Sequence, residues 1–289
     1  MNQIAHDEGH FQANEGMRLY YQRWRPAKTK ARAVIVLLHG DFAHSGWYMN
    51  LPTHEVPSGY AVYACDRRGW GRSPGQRGYI RSWGENLSDL GAFMRLVRAE
   101  EPERPIFLMG HTGSGPIVLD YATQHPDEVR GVFCVSPVLD TSSAVPAPLR
   151  ALLRTLARIT PHLTINARRR VEAGLSEVSR DPVFVKFALE DPLSNRKVTP
   201  RWLVESERGM RRVRDSAAQL HVPLLLLLGG ADRASPQEVT DLYFAQVGGA
   251  DKRLIEYPGA HTNLLSDTVY EQVLADIDAW LDRHVYRHV

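Results

Sequence analysis

Short apolar runs that end in glycine-bearing turns recur along this chain, and they constrain its fold more than any other feature. Ala33–Leu38 (AVIVLL) runs into His39-Gly40. Ala61–Cys65, Ile106–Met109, Gly131–Val135, Leu224–Gly229 and Arg253–Tyr257 repeat the pattern, and Met17–Trp24 precedes them as an early strand. A brief aliphatic run bounded by glycine is what a parallel strand buried on both faces looks like. Between the runs, Glu85–Glu100 carries helical periodicity through Leu87, Leu90, Phe93, Met94 and Val97, and Pro236–Val247 and Asp267–His284 read as helices with apolar stripes. Strands alternating with helices predict an α/β chain with a doubly wound, mainly parallel sheet.

The alternation stops between residues 136 and 216, where no strand-like run occurs. Leu149, Leu152, Leu153, Leu156 and Ile159 form an apolar helical face there, with Arg150, Arg154 and Arg158 opposite, and a basic stretch, Ala167–Val171, follows. The reading is a helical insertion over 136–216 in a core made of 1–135 and 217–289. The arginines read as a solvated face more readily than as a site for an anionic substrate or lipid headgroups. No uncovered apolar stripe stands out to suggest an oligomer.

Lys and Arg outnumber Asp and Glu by 35 to 33, so net charge gives no reason to expect nucleic acid as a partner. The N-terminus lacks a basic start followed by an apolar core. No aliphatic run, Leu224–Leu228 included, comes near the roughly 18 residues a membrane span needs. A soluble cytoplasmic protein without integral membrane contact is expected. Cys65 and Cys134 sit in apolar runs as reduced thiols, and neither an HExxH nor a paired Cys/His spacing is present, so neither metal nor cofactor is expected.

In an open α/β sheet, ligands bind beyond the carboxyl ends of the strands. The segments there are His39–Phe42, Asp66–Gly69, Gly110–Gly113, Gly230–Asp232 and Gly259–Thr262. They and their neighbours resemble the α/β-hydrolase fold, and within it the monoacylglycerol lipase and lysophospholipase group (serine aminopeptidase S33 type). LLHGDFAHSGWY (Leu37–Tyr48) is similar to that group's LHGxGEHSxRY, and DRRGWGRSPGQRGYI (Asp66–Ile80) to its DxRGxGxSxGxRG. Ser179-Arg180-Asp181-Pro182 and Asp191-Pro192-Leu193 resemble cap motifs, Leu226–Asp232 the acid-bearing strand end, and Tyr257–Ala260 the approach to the catalytic histidine. Together these pieces cover almost the whole chain in the family's order.

The resemblance implies a nucleophile on a strand-to-helix elbow, an acid and a histidine in that order, and two backbone N–H groups for the oxyanion. Thr112, Asp232 and His261 take those places, with Asp41 and Gly113 as the N–H donors. Three positions depart from the pattern. The elbow, Gly110-His111-Thr112-Gly113-Ser114-Gly115, carries threonine where the family has serine; Ser114 reads as a small residue of the first helical turn. A gapless match puts Thr262 in the histidine's place and His261 one residue early. Asp41 adds a carboxylate beside the expected oxyanion hole, and Phe42 narrows the pocket. His39, His44 and His111 read as packing residues and Arg67-Arg68-Gly69 as loop scaffold.

These residues leave three functions open. One is a carboxylic-ester hydrolase with Thr112 as nucleophile, His261 as base and a small acyl-containing substrate. Another is a non-hydrolytic lyase, cyclase, isomerase or acyl-transfer enzyme of specialised metabolism, with His261 or Asp41 moving protons and Thr112 or Thr262 lining the pocket. The third is a silent binder.

Overall fold

A computed structural model of the chain describes residues 3–141, 146–234 and 236–285. The extreme ends of the two-part core, residue 235 and four positions of the predicted insertion lie outside the described residues. In chain order the strands are β1 (Ile4–Gln12), β2 (Arg18–Pro26), β3 (Ala33–Leu38), β4 (Tyr60–Cys65), β5 (Ile106–His111), β6 (Gly131–Val135), β7 (Ile165–Asn166), β8 (Lys197–Val198), β9 (Leu224–Gly229) and β10 (Lys252–Tyr257). Eight of them make one sheet in the order β1-β2-β4-β3-β5-β6-β9-β10. Pairing is parallel from β4 through β10 and antiparallel at the β1–β2–β4 edge.

β3, β4, β5, β6 and β9 are buried at every position. That burial explains why their sequences show no alternation: each strand feeds a core on both faces. Val34, Val36, Leu108, Val132 and Leu226 meet α2 (Trp83–Glu100), α3 (Gly115–Gln124) and α8 (Gln237–Gln246) on one side. Ile35, Leu37, Phe107, Phe133 and Leu225 meet α1 (Asn50–Glu55) and α9 (Tyr270–Val285) on the other. β1 is the element the sequence does not announce. It is a mostly exposed edge strand, IAHDEGHFQ, whose polar content hides its pairing with β2.

Between β6 and β9 the chain leaves the sheet and forms α4 (Ala147–Ile159), α5 (Arg168–Gly174), α6 (Pro182–Glu190) and α7 (Pro200–Asp215). Two expectations for this segment need correction. It does contain strand, since β7 and β8 pair antiparallel; two-residue pieces are too short to leave a periodic signal. The apolar stripe of α4 is also not fully covered. Leu149, Leu152 and Ile159 are 45%, 51% and 72% exposed, although α4 packs on α7 and Arg154 pairs with Glu207 at 2.8 Å.

The insertion is fastened to the core at two places that the family-like motifs mark. Asp191 accepts hydrogen bonds from His44 (2.8 Å) and from the Trp47 indole (2.6 Å). Ser179 donates to the Ser266 carbonyl at 2.6 Å. Asp267, with its side chain fully buried, accepts from the Arg180 backbone at 2.9 Å and from its guanidinium at 2.8 and 2.6 Å. Burial alone would raise the Asp267 carboxyl, but the Arg180 bonds outweigh it and hold the group below its ordinary 3.8. A depressed folded value stabilises the protein above the unfolded value, and this is lost as pH falls through the folded one. Asp267→Asn is therefore expected to cost about 1.5–3 kcal/mol at neutral pH. Urea denaturation of the two proteins checks this, and the difference should shrink toward pH 3.

Candidate active site

β5 delivers the elbow. Its last residue is His111, and Thr112 follows with φ of 47°, in the left-handed region that costs a β-branched residue most. The turn is tight enough that a Cβ at Gly40 would collide with the Thr112 hydroxyl and the His111 ring. That close approach lets the loop after β3 serve the elbow: the Asp41 backbone N–H donates to Thr112 Oγ1 at 3.2 Å. Ser114 is fully buried and spent on the backbone, donating to the Leu38 carbonyl at 2.6 Å, so it is not a substitute nucleophile.

Thr112 opens onto a cavity of about 340 Å³, within the range of small-ligand sites (about 300–1,000 Å³). Asp41, Phe42, His111, Thr112 and Thr262 line its floor, and Ala167, Val171, Leu175 and Val178 of the insertion its roof. The wall is mostly apolar. Phe42, also at positive φ (65°), packs edge-on against Trp70 and Trp202 and fills the space a small residue would leave. The sequence does not single out the roof residues or Trp47. Trp47 lies inside the family-like HSGWY segment, whereas the roof has no motif that marks it.

Thr262, not His261, faces this cavity. Thr262 Oγ1 donates to Asp232 Oδ1 at 2.7 Å, so the acid's partner is a hydroxyl where the family pattern has an imidazole. Burial raises the Asp232 carboxyl above its ordinary value, against the hydrogen bonds from Thr262 and the Ala234 N–H. His261 does not line the cavity. Its backbone N–H points to Asp267, and its Nδ1 is buried with no hydrogen-bond partner. Among the described residues no hydrogen bond joins it to Thr112. The one-residue offset therefore leaves a threonine, not the histidine, on the cavity wall.

His111 cannot replace the missing base. Its Nδ1 takes the Tyr48 hydroxyl at 2.6 Å, its Nε2 lies 3.2 Å from the Thr262 carbonyl, and burial pushes it down to about 4, so it is neutral at physiological pH. His39 is likewise enclosed, accepting from the Arg67 N–H at 2.9 Å. Arg67 reads as scaffold in the sequence, yet its side chain also reaches the site. From a nearly buried position its guanidinium donates to Asp41 Oδ1 at 2.6 Å. The Asp41 carboxylate thereby turns over Gly113, where any Cβ would strike it. A negative charge, held by Arg67, stands over the Cα of Gly113.

An eight-stranded, mainly parallel sheet with an elbow after its central strand, an acid after a later one and a helical insertion over the elbow defines the α/β-hydrolase fold. The model of the serine aminopeptidase S33 family matches residues 29–268, and the chain belongs to that family. It is 29% identical over 271 residues to a monoacylglycerol lipase of Mycolicibacterium smegmatis, covering 93% of this chain and 95% of the relative. It is 27% identical to a phospholipase of Bacillus subtilis, covering 91% of this chain and 100% of that one. The crystal structure of a Paleococcus ferrophilus monoacylglycerol lipase superimposes with a TM-score of 0.82 at 32% identity, covering 93% of this chain and 100% of that chain. Among the described residues no helix is long and apolar enough to cross a membrane.

Proposed function

We propose that this chain is a carboxylic-ester hydrolase for a small acyl ester of the monoacylglycerol or lysophospholipid class, with Thr112 as its nucleophile. The observation that carries the reading is the placement of Thr112 Oγ1, at a left-handed elbow, 3.2 Å from the Asp41 N–H and at the floor of an apolar cavity. An acyl chain lies along Val171, Leu175 and Val178, and its carbonyl carbon meets Thr112. The backbone N–H groups of Asp41 and Gly113 take the developing oxyanion. The hydroxyl proton has no imidazole to go to, because Thr262 occupies that wall. It passes to water or to the Asp41 carboxylate, and turnover is slow.

A second reading rests on the Asp41 carboxylate itself. A charge lying over Gly113 opposes an oxyanion and favours a substrate that gives up a proton there, which fits non-hydrolytic proton-transfer chemistry. Release of p-nitrophenol from short and medium acyl esters, by wild type and Thr112→Ala side by side, decides between them. Slow wild-type turnover that drops to the buffer rate in the alanine variant supports the hydrolase. Equal rates in the two proteins remove Thr112 from the chemistry and leave the second reading.

A further inference from the structure

Away from the cavity, where α1 packs on α9, three side chains converge that no part of the proposed reaction uses. His54 Nε2 lies 2.7 Å from Asp278 Oδ2. Glu55, the last residue of α1, is completely buried, and among the described residues no donor reaches either of its carboxylate oxygens or the buried Asp278 Oδ1. One nitrogen of His54 and one oxygen each of Glu55 and Asp278 all lie within 4.8 Å of one another. None of the three lines the cavity.

Two carboxylates this close in a buried place repel unless a proton or a cation stands between them. The Arg32 guanidinium, the cation that acts on Glu55, is shared with Tyr60 and Asp282, to which it donates. We infer that His54, Glu55 and Asp278 form a binding site for a divalent transition-metal ion of the Zn²⁺ class. One imidazole and two carboxylates supply the ligand types zinc takes, at about 2.0–2.2 Å each, and a charge of −2 to match it. Ca²⁺ asks for six to eight oxygens and Mg²⁺ for near-octahedral oxygen geometry, so this donor set disfavours both. His54 and Asp278 are both partly exposed, which gives the ion its way in. An ion here ties α1 to α9, elements 223 residues apart in the ligand pair Glu55 and Asp278 (278 − 55). Its role is structural, and its occupancy does not depend on the reaction proposed for the cavity.

Full-length protein stripped with a chelator and titrated with Zn²⁺ alone by calorimetry tests the site. Wild type is expected to bind one high-affinity equivalent and to melt a few degrees higher with Zn²⁺ than without. Loss of a partner behind a ligand already weakens metal affinity about 10–100-fold, so loss of a ligand in His54→Ala or Asp278→Asn should weaken it at least that much and abolish the melting shift. Glu55→Gln, which keeps the shape and removes the charge, should do the same without unfolding the apo protein. An isotherm that is unchanged in the His54 and Asp278 variants, or the absence of any saturable binding to folded wild type, overturns the proposal and leaves a shared proton between the two carboxyl groups.

Discussion

The double substitution Thr112→Ser and Thr262→His is expected to raise the hydrolysis of a medium-chain p-nitrophenyl ester by about 10²–10⁴-fold over wild type, the usual worth of a positioned general base. The geometry for it is already present. Thr262 Oγ1 sits 2.7 Å from Asp232 Oδ1, so an imidazole at 262 starts beside the carboxylate that orients it, on the cavity wall shared with Thr112. Serine at 112 keeps the hydroxyl, drops the methyl from the acyl approach and relieves a β-branched residue of its φ of 47°. The single variants should fall far short of the pair, because a nucleophile without a base, or a base without an accessible nucleophile, is only part of a unit whose members act non-additively. Steady-state rates of the four proteins make the comparison. A folded double variant no faster than wild type would mean that the backbone at Thr112 or Thr262 is not where a serine-histidine pair needs it, and would count against the ester-hydrolase reading as a whole.

The value of that experiment lies in a one-residue ambiguity that the sequence leaves open. Gly259-Ala260-His261-Thr262 holds a histidine next to the family position, and chemistry argues for using it. The chain instead keeps the gapless register, with Thr262 on the cavity wall and His261 off it. Elements whose burial is written as composition were legible. β3, β6 and β9 begin and end where their aliphatic runs do, and Thr112 and Asp232 follow β5 and β9, as the strand-end rule requires. What was not legible depends on contacts between distant residues. β1 is polar because only its partner strand orders it, and β7 and β8 are two residues each. Arg67 looked like loop scaffold because nothing in the sequence says that its guanidinium reaches Asp41. His54, Glu55 and Asp278 show no ligand spacing because a helix-helix contact, not a motif, brings them together.

Asp41→Asn is the substitution expected to change what the cavity accepts. In wild type the Asp41 carboxylate lies over Gly113 and accepts from Arg67 at 2.6 Å, so an anionic group brought to the oxyanion site meets like charge. Unit charges about 4 Å apart interact by about 4 kcal/mol at an effective dielectric constant near 20. The Arg67 guanidinium, close by, cancels much of this in wild type. With asparagine the repulsion goes and the guanidinium, whose Nε has no other partner, is left to attract an anion. Octanoate, the carboxylate a hydrolysed octanoyl ester leaves behind, should then bind about 10–100-fold more tightly, equivalent to about 1.4–2.8 kcal/mol. The neutral monooctanoylglycerol should bind within about twofold of wild type, since neither charge acts on it at first order. Calorimetry with both ligands at neutral pH separates charge from shape. An octanoate affinity that does not move places the carboxylate away from the acyl oxygen, and removes the argument that Asp41 restrains hydrolysis in this cavity. A gain confined to octanoate locates the charge at the oxyanion site and accounts for slow turnover in a chain with a lipase's fold and an apolar pocket.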